Sequence, residues 1–454
     1  MDTSTHSTTL CDLLHLKEVM SKRILALKDI ISPIGEPVTI HRVEIPSAPI
    51  DILNWLQKQT TDKIIYWANR NKEWEMGGVG VADQITGTAP IDYENLFDYF
   101  AERFNPYNPQ IRFYGGICFD EQNISAEWDV FGHCQFFVPR FEFVDHNNRQ
   151  IFACNISYKD VNEKKLSQIV DELNSLNFDL SQAHSNLNKP LSQQDFLTKK
   201  EWGKIFNKTK EALESGHLKK VVLARKSCFK FRQAVNAFLI KQKLKEITPE
   251  CYHFCFQPKS GHAFLGASPE RLYRREGQHI QSEAVAGTRA KENTEKLLSS
   301  KKEFYEHKLV VDHIHACLKN LCSSIKFDKE PSVLKLHWGE HLKTDFKGTL
   351  KPHVTDTQLI LSLHPTPAVA GCPKEEAKNF IHESETFQRG WYAGLVGYVS
   401  RDVTEFTVAI RSGLINNDTI TLFAGAGIVP DSQEEKEWTE IENKMNSFLK
   451  IFNS

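Results

Sequence analysis

Apolar positions along the chain recur with two periods, and the switches between them mark out elements. Residues 10–30 follow a helical period and predict an amphipathic helix. Residues 64–67, 111–119 and 134–143 predict strands, with turns expected at Gly77-Gly78, Gly115-Gly116 and Asn147-Asn148. Residues 160–176 predict a helix. A polar, Asn- and Ser-rich tract at 177–199, containing Lys189-Pro190, is the best candidate boundary. It separates an N-terminal α+β region, 1–190, expected to pack on the rest rather than swing free, from a second region, 195–454. There, 199–215 predicts a helix, 220–231, 253–257 and 263–266 predict strands, and 295–323 predicts a long helix. Residues 404–410 and 419–424 predict strands, and a helix closes the chain. Helices and strands mix without a regular βαβ beat, and many strands join through short turns. That predicts an α+β fold with large, mainly antiparallel sheets flanked by helices.

Charge narrows the function. The 454 residues carry 56 Lys and Arg against 58 Asp and Glu, so 56 − 58 = −2. Near-neutral charge without a basic or acidic tail leaves no electrostatic footprint for nucleic acid or an anionic membrane. No run reaches the roughly 18 apolar residues of a membrane span. The first residues have neither a signal peptide's apolar stretch nor an Arg-rich transit pattern. The ten Cys form no CxxC pair, which predicts reduced, mostly buried thiols in a cytoplasmic compartment. Gly78-Val79-Gly80 lacks the third glycine of a dinucleotide fingerprint, and no GxxxxGK[ST], HExxH or GxSxG occurs. Cys251-x-His253-x-Cys255 has metal-like residue types. Strand alternation puts all three on one face among apolar neighbours with no second ligand pair, so a buried strand face is the better reading.

Chemistry concentrates in the second region. Asp431-Ser432-x-x-Glu435 resembles a helix-capping box, followed by an apolar stripe of Trp438, Ile441, Met445, Leu449 and Phe452. Glu437, Glu440 and Lys444 share a stripe beside it. Alone, that stripe reads as a solvated salt-bridge row. Before it, Phe423-Ala424-Gly425-Ala426-Gly427-Ile428-Val429 reads as a strand turning on small residues into the helix, so its backbone could approach an anion. Such a turn beside carboxylates and a Lys could hold a carboxylate ligand through a divalent cation. Glu303 and Glu306 share a helix face. Lys220 enters the apolar strand Lys220-Val221-Val222-Leu223-Ala224-Arg225. Glu270 follows Ser268-Pro269 at a strand end, and Glu283-Ala284-Val285-Ala286-Gly287-Thr288-Arg289 ends a strand on Gly-Thr.

These segments, with His364-Pro365-Thr366-Pro367-Ala368-Val369-Ala370-Gly371 and Trp391-Tyr392-Ala393-Gly394-Leu395-Val396-Gly397-Tyr398, resemble the chorismate-utilising enzymes in order and spacing. The likeness spans about residues 195–454. Within the family it is greatest to the isochorismate synthases of menaquinone synthesis. The N-terminal part is only loosely similar, chiefly through Phe113-Tyr114-Gly115-Gly116-x-x-Phe119-Asp120.

The resemblance implies Mg²⁺ held by Glu306 and Glu440, with Glu437 reaching its shell, gripping the ring carboxylate of chorismate. It implies that Arg411 and Tyr392 hold the enolpyruvyl carboxylate, that Lys444 and the Gly425 and Gly427 backbone meet the ring carboxylate, and that Gly287 and Thr288 line the pocket. It further implies Lys220 as the base that takes a proton from water attacking C2, and Glu270 as the acid that protonates the departing C4 hydroxyl. Lys220 must then be neutral and Glu270 protonated, and burial moves both pKa values that way. Ammonia-using relatives typically carry Gln in place of Lys220, and some carry a nucleophilic Lys in place of Ala286, so water is the expected nucleophile and no glutamine amidotransferase partner is expected. A salicylate synthase, or an isochorismate synthase of a catecholate siderophore pathway, would share these residues.

Overall fold

The structure, a computed structural model, describes residues 13–30, 40–104, 108–121, 124–179, 187–289 and 294–452. The first helix runs Leu13–Ala26, continued by a 3₁₀ turn at Leu27–Ile30, and positions 10–12 of the expected helix lie outside the described residues. Helices Glu163–Ser175 and Lys199–Glu214 and strand Lys220–Lys230 fall where periodicity places them. The helix at Lys199 is opened by a capping box between Thr198 and Glu201.

Five expectations are corrected. Gly77-Gly78 and Gly115-Gly116 are not turns but lie inside strands Trp74–Val79 and Arg112–Ile117. A Cβ on Gly115 would sit 1.9 Å from the Gln135 carbonyl oxygen, so glycine there marks close approach of a neighbouring strand. The Asn147-Asn148 turn is present, with both residues at positive φ between strands Phe141–His146 and Arg149–Ser157. Residues 134–143 divide around Pro139 into Cys134–Val138 and Phe141–His146, which belong to different sheets. The helix expected over 295–323 divides into Thr294–Leu298 and Lys301–Leu321, because the Ser300 side chain caps the second helix by accepting from Glu303 N. At the C-terminal end, strand Thr419–Ile428 runs through Gly425 and Gly427, so these are strand residues rather than a turn. The helix Glu434–Leu449 starts after Gln433 without a side-chain cap, and Ser432 Oγ instead accepts from Val429 N.

Two large sheets, of 12 and 10 strands among the described residues, carry the fold. Their pairings are antiparallel. Residues on both sides of position 190 share both sheets. In the larger, Ile64–Ala68 pairs with Tyr252–Lys259, and in the smaller, Arg112–Ile117 pairs with Leu395–Ser400.

Alternation along the larger sheet feeds two cores. Ile65 and Trp67 enter one with Tyr252, Phe254 and Phe264, while Ile64, Tyr66 and Ala68 enter the other with Cys251, Cys255 and Leu265. The first core also holds Tyr273, Phe406 and Tyr398 of the smaller sheet, so it lies between the sheets. The second lies under helices Leu13–Ala26, Ile52–Gln57, Glu163–Ser175 and Ala237–Ile247. The Cys251, His253 and Cys255 face is buried on this side, where His253 Nδ1 accepts from Lys241 Nζ at 2.7 Å. Every cysteine among the described residues is a free thiol. No helix among them is long and apolar enough to cross a membrane.

Candidate active site

Strand Lys220–Lys230 lies beside strand Thr419–Ile428 with Val222 opposite Gly427 and Ala224 opposite Gly425. Helix Lys301–Leu321 packs on strand His279–Arg289, and helix Glu434–Leu449 on strand Thr419–Ile428. Between them opens a small cavity of about 80 Å³. Glu270, Gly287, Thr288, Glu306, Tyr392 and Arg411 line it, as do Gly425, Gly427, Glu440 and Lys444. Two of the expected residues do not. Lys220 stands one layer behind, fully buried, with Nζ 3.0 Å from Glu306 Oε1. Glu437 faces an adjoining outer cleft that shares Thr288, Arg411, Glu440 and Lys444 with the inner one.

Glu270 is held by its backbone. Its N–H donates to Ser268 Oγ at 3.2 Å, and its carbonyl accepts from Val408 N at 3.0 Å and from Thr407 Oγ1. The side chain is buried, and Oε1 has no hydrogen-bond partner among the described residues. Burial pushes its pKa up to about 8, against the opposing pull of Lys220 and with help from Glu283. A carboxyl in that range keeps its proton at neutral pH and has it available to donate.

The other carboxylates are matched to cations. Lys444 Nζ is 2.6 Å from Glu440 and donates to the Gly425 carbonyl at 2.8 Å. Lys302 Nζ is 2.7 Å from Glu437. Burial opposes ionisation of Glu440, but Lys444 and Lys302 outweigh it and hold its pKa below the usual carboxylate value. For Glu437 burial wins over Lys302 and the pKa rises. Gly427 makes room for the inner pair, since a Cβ there would fall 2.3 Å from Glu306 Oε1 and 2.9 Å from Lys220 Cε. No group of three or more His, Cys, Asp or Glu side chains among the described residues is gathered tightly enough to hold a metal ion.

The remaining cation is spare. Arg411 is partly buried over the Trp338 ring, 4.8 Å from its centroid, and its Nη1 finds no hydrogen-bond partner among the described residues. Burial lowers its pKa to about 10, which still leaves it charged at neutral pH. Its backbone is left-handed, as is that of Ala393 on the cavity wall, an uncommon state that costs about 1–3 kcal/mol per residue. A partly buried, incompletely bonded guanidinium can receive a carboxylate. Beside it Tyr392 stacks on Phe423 at 5.0 Å.

Three contributors were not among the expected site residues. His341 lines the cavity, and its Nδ1 shares a hydrogen bond with Thr288 Oγ1 at 2.9 Å. Burial, then Arg411 and Lys444, lower its pKa to about 3, so it is neutral. Glu303 accepts from Thr288 N at 2.9 Å and so fixes the Gly287-Thr288 corner, where Gly287 has φ +77°. Lys302 is the third. Glu303 was visible as a helix-face partner of Glu306, whereas nothing in the local pattern marks His341 or Lys302.

The sequence matches the family model described as "Chorismate binding enzyme" over residues 34–453. It is 32% identical over 422 residues to "Isochorismate synthase MenF" of Haemophilus influenzae, covering 90% of this chain and 91% of that protein. It is 33% identical over 395 residues to "Isochorismate synthase, chloroplastic" of Catharanthus roseus, covering 83% and 68%. The solved structure of MenF, the menaquinone-specific isochorismate synthase from Escherichia coli, superposes with a TM-score of 0.82 at 28% identity, covering 95% of this chain and 99% of that one. The α+β architecture of two large antiparallel sheets is the fold of that enzyme, and the chain belongs to the chorismate-binding enzyme family.

Proposed function

We propose that the protein is an isochorismate synthase that interconverts chorismate and isochorismate, adding water at ring C2 and releasing the C4 hydroxyl. The observation that carries this reading is the Glu270 carboxyl, buried in the cavity wall with Oε1 unpartnered among the described residues, where desolvation raises its pKa to about 8. Its proton goes to the departing C4 hydroxyl, and Lys220 takes one from the incoming water. Each such transfer contributes about 10²–10⁴-fold. Arg411 and Tyr392 hold the enolpyruvyl carboxylate, and Lys444 with the Gly425 and Gly427 backbone meets the ring carboxylate, which together orient C2 and C4 between acid and base. Thr288 and Gly287 shape the facing wall.

Mg²⁺ is the cofactor of this reading. The donor chemistry fits, because Glu306, Glu440 and Glu437 supply hard carboxylate oxygens beside the cavity. Lysines stand as their counter-cations, and these three carboxylates would hold the ion. When bound, the ion supplies charge neutralisation for a dianionic substrate. The isochorismate feeds menaquinone synthesis in this proposal, supported by the likeness to the E. coli structure described as menaquinone-specific. Water as nucleophile leaves no task for a glutamine amidotransferase partner.

Incubating the purified chain with chorismate and Mg²⁺, without ammonia or glutamine, tests the reaction by product analysis. Isochorismate at equilibrium with chorismate is expected. Salicylate with pyruvate, or anthranilate once ammonia is added, would overturn it. Restoration of menaquinone in a bacterial strain lacking its own isochorismate synthase tests the pathway.

A further inference from the structure

Behind Glu270 lies a layer of charge that the reaction above does not use. Arg70 comes from the turn between strands Ile64–Ala68 and Trp74–Val79, in the N-terminal part of the chain. Its Nη1 donates to the carbonyl of Pro269, the residue before Glu270, at 3.0 Å. The same nitrogen donates to Glu283 Oε2 at 3.0 Å, and Nη2 donates to Glu283 Oε1 at 2.5 Å. Glu283 is almost fully buried. The other cations near it are farther off and engaged elsewhere. Arg271 is 3.6 Å from Glu283 and donates to Glu405 and Gln281, while Lys343 is 4.0 Å away and pairs with Asp345.

We propose that Arg70 is a positioning residue for the acid: one guanidinium fixes the Pro269 carbonyl that aims Glu270 and neutralises the Glu283 carboxylate buried beside it. This rests on the acid role given to Glu270 above. The charged groups acting on Glu270 are Lys220, from strand Lys220–Lys230, and Glu283, from strand His279–Arg289, with Thr366 as a hydrogen-bond partner. Arg70, Arg271 and Lys343 stand behind Glu283. The fork geometry matters because a planar guanidinium reaches two carboxylate oxygens and a carbonyl together, whereas an ammonium is a point charge. If Glu283 loses that clamp, its negative charge acts on Glu270 with less compensation and holds the acid's proton more tightly. A peripheral turn of the N-terminal part therefore reaches the reacting group through two bonds and one carbonyl.

The test compares kcat, KM and the pH profile of kcat for the parent, Arg70→Lys, the double variant Arg70→Met/Glu283→Met, and Glu270→Gln. Melting curves accompany each. Replacing both members of the buried pair with apolar side chains of similar size preserves packing and guards against loss of fold. For Arg70→Lys, kcat is expected to fall about tenfold or more while KM changes less than about threefold, as for a group that acts when the bond breaks. The alkaline limb of kcat is expected to move up in Arg70→Lys and down in the double variant, where the charge of Glu283 is gone. A structural ion pair would shift the melting curve and leave that limb in place. An inactive Glu270→Gln beside Arg70 variants with parental kcat and an unmoved limb would overturn the positioning role alone. Parental turnover by Glu270→Gln would remove the acid and the positioning role together.

Discussion

The two sides of the cavity use the same side chain in opposite states. On the side of Glu270, a glutamate is buried with an oxygen that finds no partner among the described residues, and desolvation raises its pKa to about 8. On the side of the C-terminal helix, Glu440 is only partly buried, with 22% of its side chain exposed, Lys444 sits 2.6 Å away and the carboxylate stays ionised. Burial alone therefore does not decide the role of a glutamate here. Glu437, almost fully buried, keeps a raised pKa although Lys302 stands 2.7 Å away, so the balance of burial against the nearby cations decides it, leaving one wall able to give a proton and the other able to hold positive charge.

Removing the base should show the largest effect. Lys220→Gln is expected to lose water addition by about 10³-fold or more, because an amide cannot accept the proton. It also leaves Glu306 without its nearest cation, so stability should fall by up to about 3–5 kcal/mol. Assaying isochorismate formation beside a denaturant titration separates the two effects, and parental turnover would remove Lys220 from the chemistry.

Glu270→Gln is expected next, at about 10²-fold or more in kcat in both directions, with substrate affinity changed less. It carries a stability signature of opposite sign to a broken ion pair. The folded pKa of Glu270 is raised from 4.5 to about 8, so its contribution to stability is fully present below about 4.5 and is lost as pH rises through 8. The variant should lack that loss, and its melting temperature should decline less than the parent's across this window.

Glu440→Gln tests the other wall. Its activity should fall at limiting Mg²⁺ and recover in part at high Mg²⁺, with apparent metal affinity down about 10–100-fold by titration calorimetry. Unchanged affinity would place the ion elsewhere. The smallest effect is expected from Gly427→Ala, whose Cβ would have to displace Glu306 or Lys220. A loss of about tenfold in kcat with intact Mg²⁺ binding would show that their spacing, rather than their presence, is what the glycine protects.

The segments of this site could be picked out in the local sequence, because they sit at strand ends and on helix faces, but the roles expected of them came from the resemblance to the chorismate-utilising enzymes. Lys220 at a strand entry, Glu270 after Ser268-Pro269, and the Glu437, Glu440 and Lys444 stripe were each visible that way. The structure brings most of them to one cavity while setting Lys220 behind Glu306 and Glu437 in the outer cleft. What was illegible depends on contacts between distant segments. Gly77 and Gly115 look like turns until the chain packed against them is seen. Lys302 matters only because it meets Glu437 from another helix, and Arg70 because it meets Glu283 across 213 positions. The antiparallel character of the sheets was readable from short turns, but not that strands from both sides of residue 190 interleave in each sheet.

The contrast between the two walls is tested most directly by infrared difference spectroscopy of the parent against Glu270→Gln, recorded across a pH series without substrate. A protonated carboxyl band is expected at neutral pH that is absent from the variant and converts to carboxylate with a midpoint near 8. A Glu270 already ionised at neutral pH would contradict it.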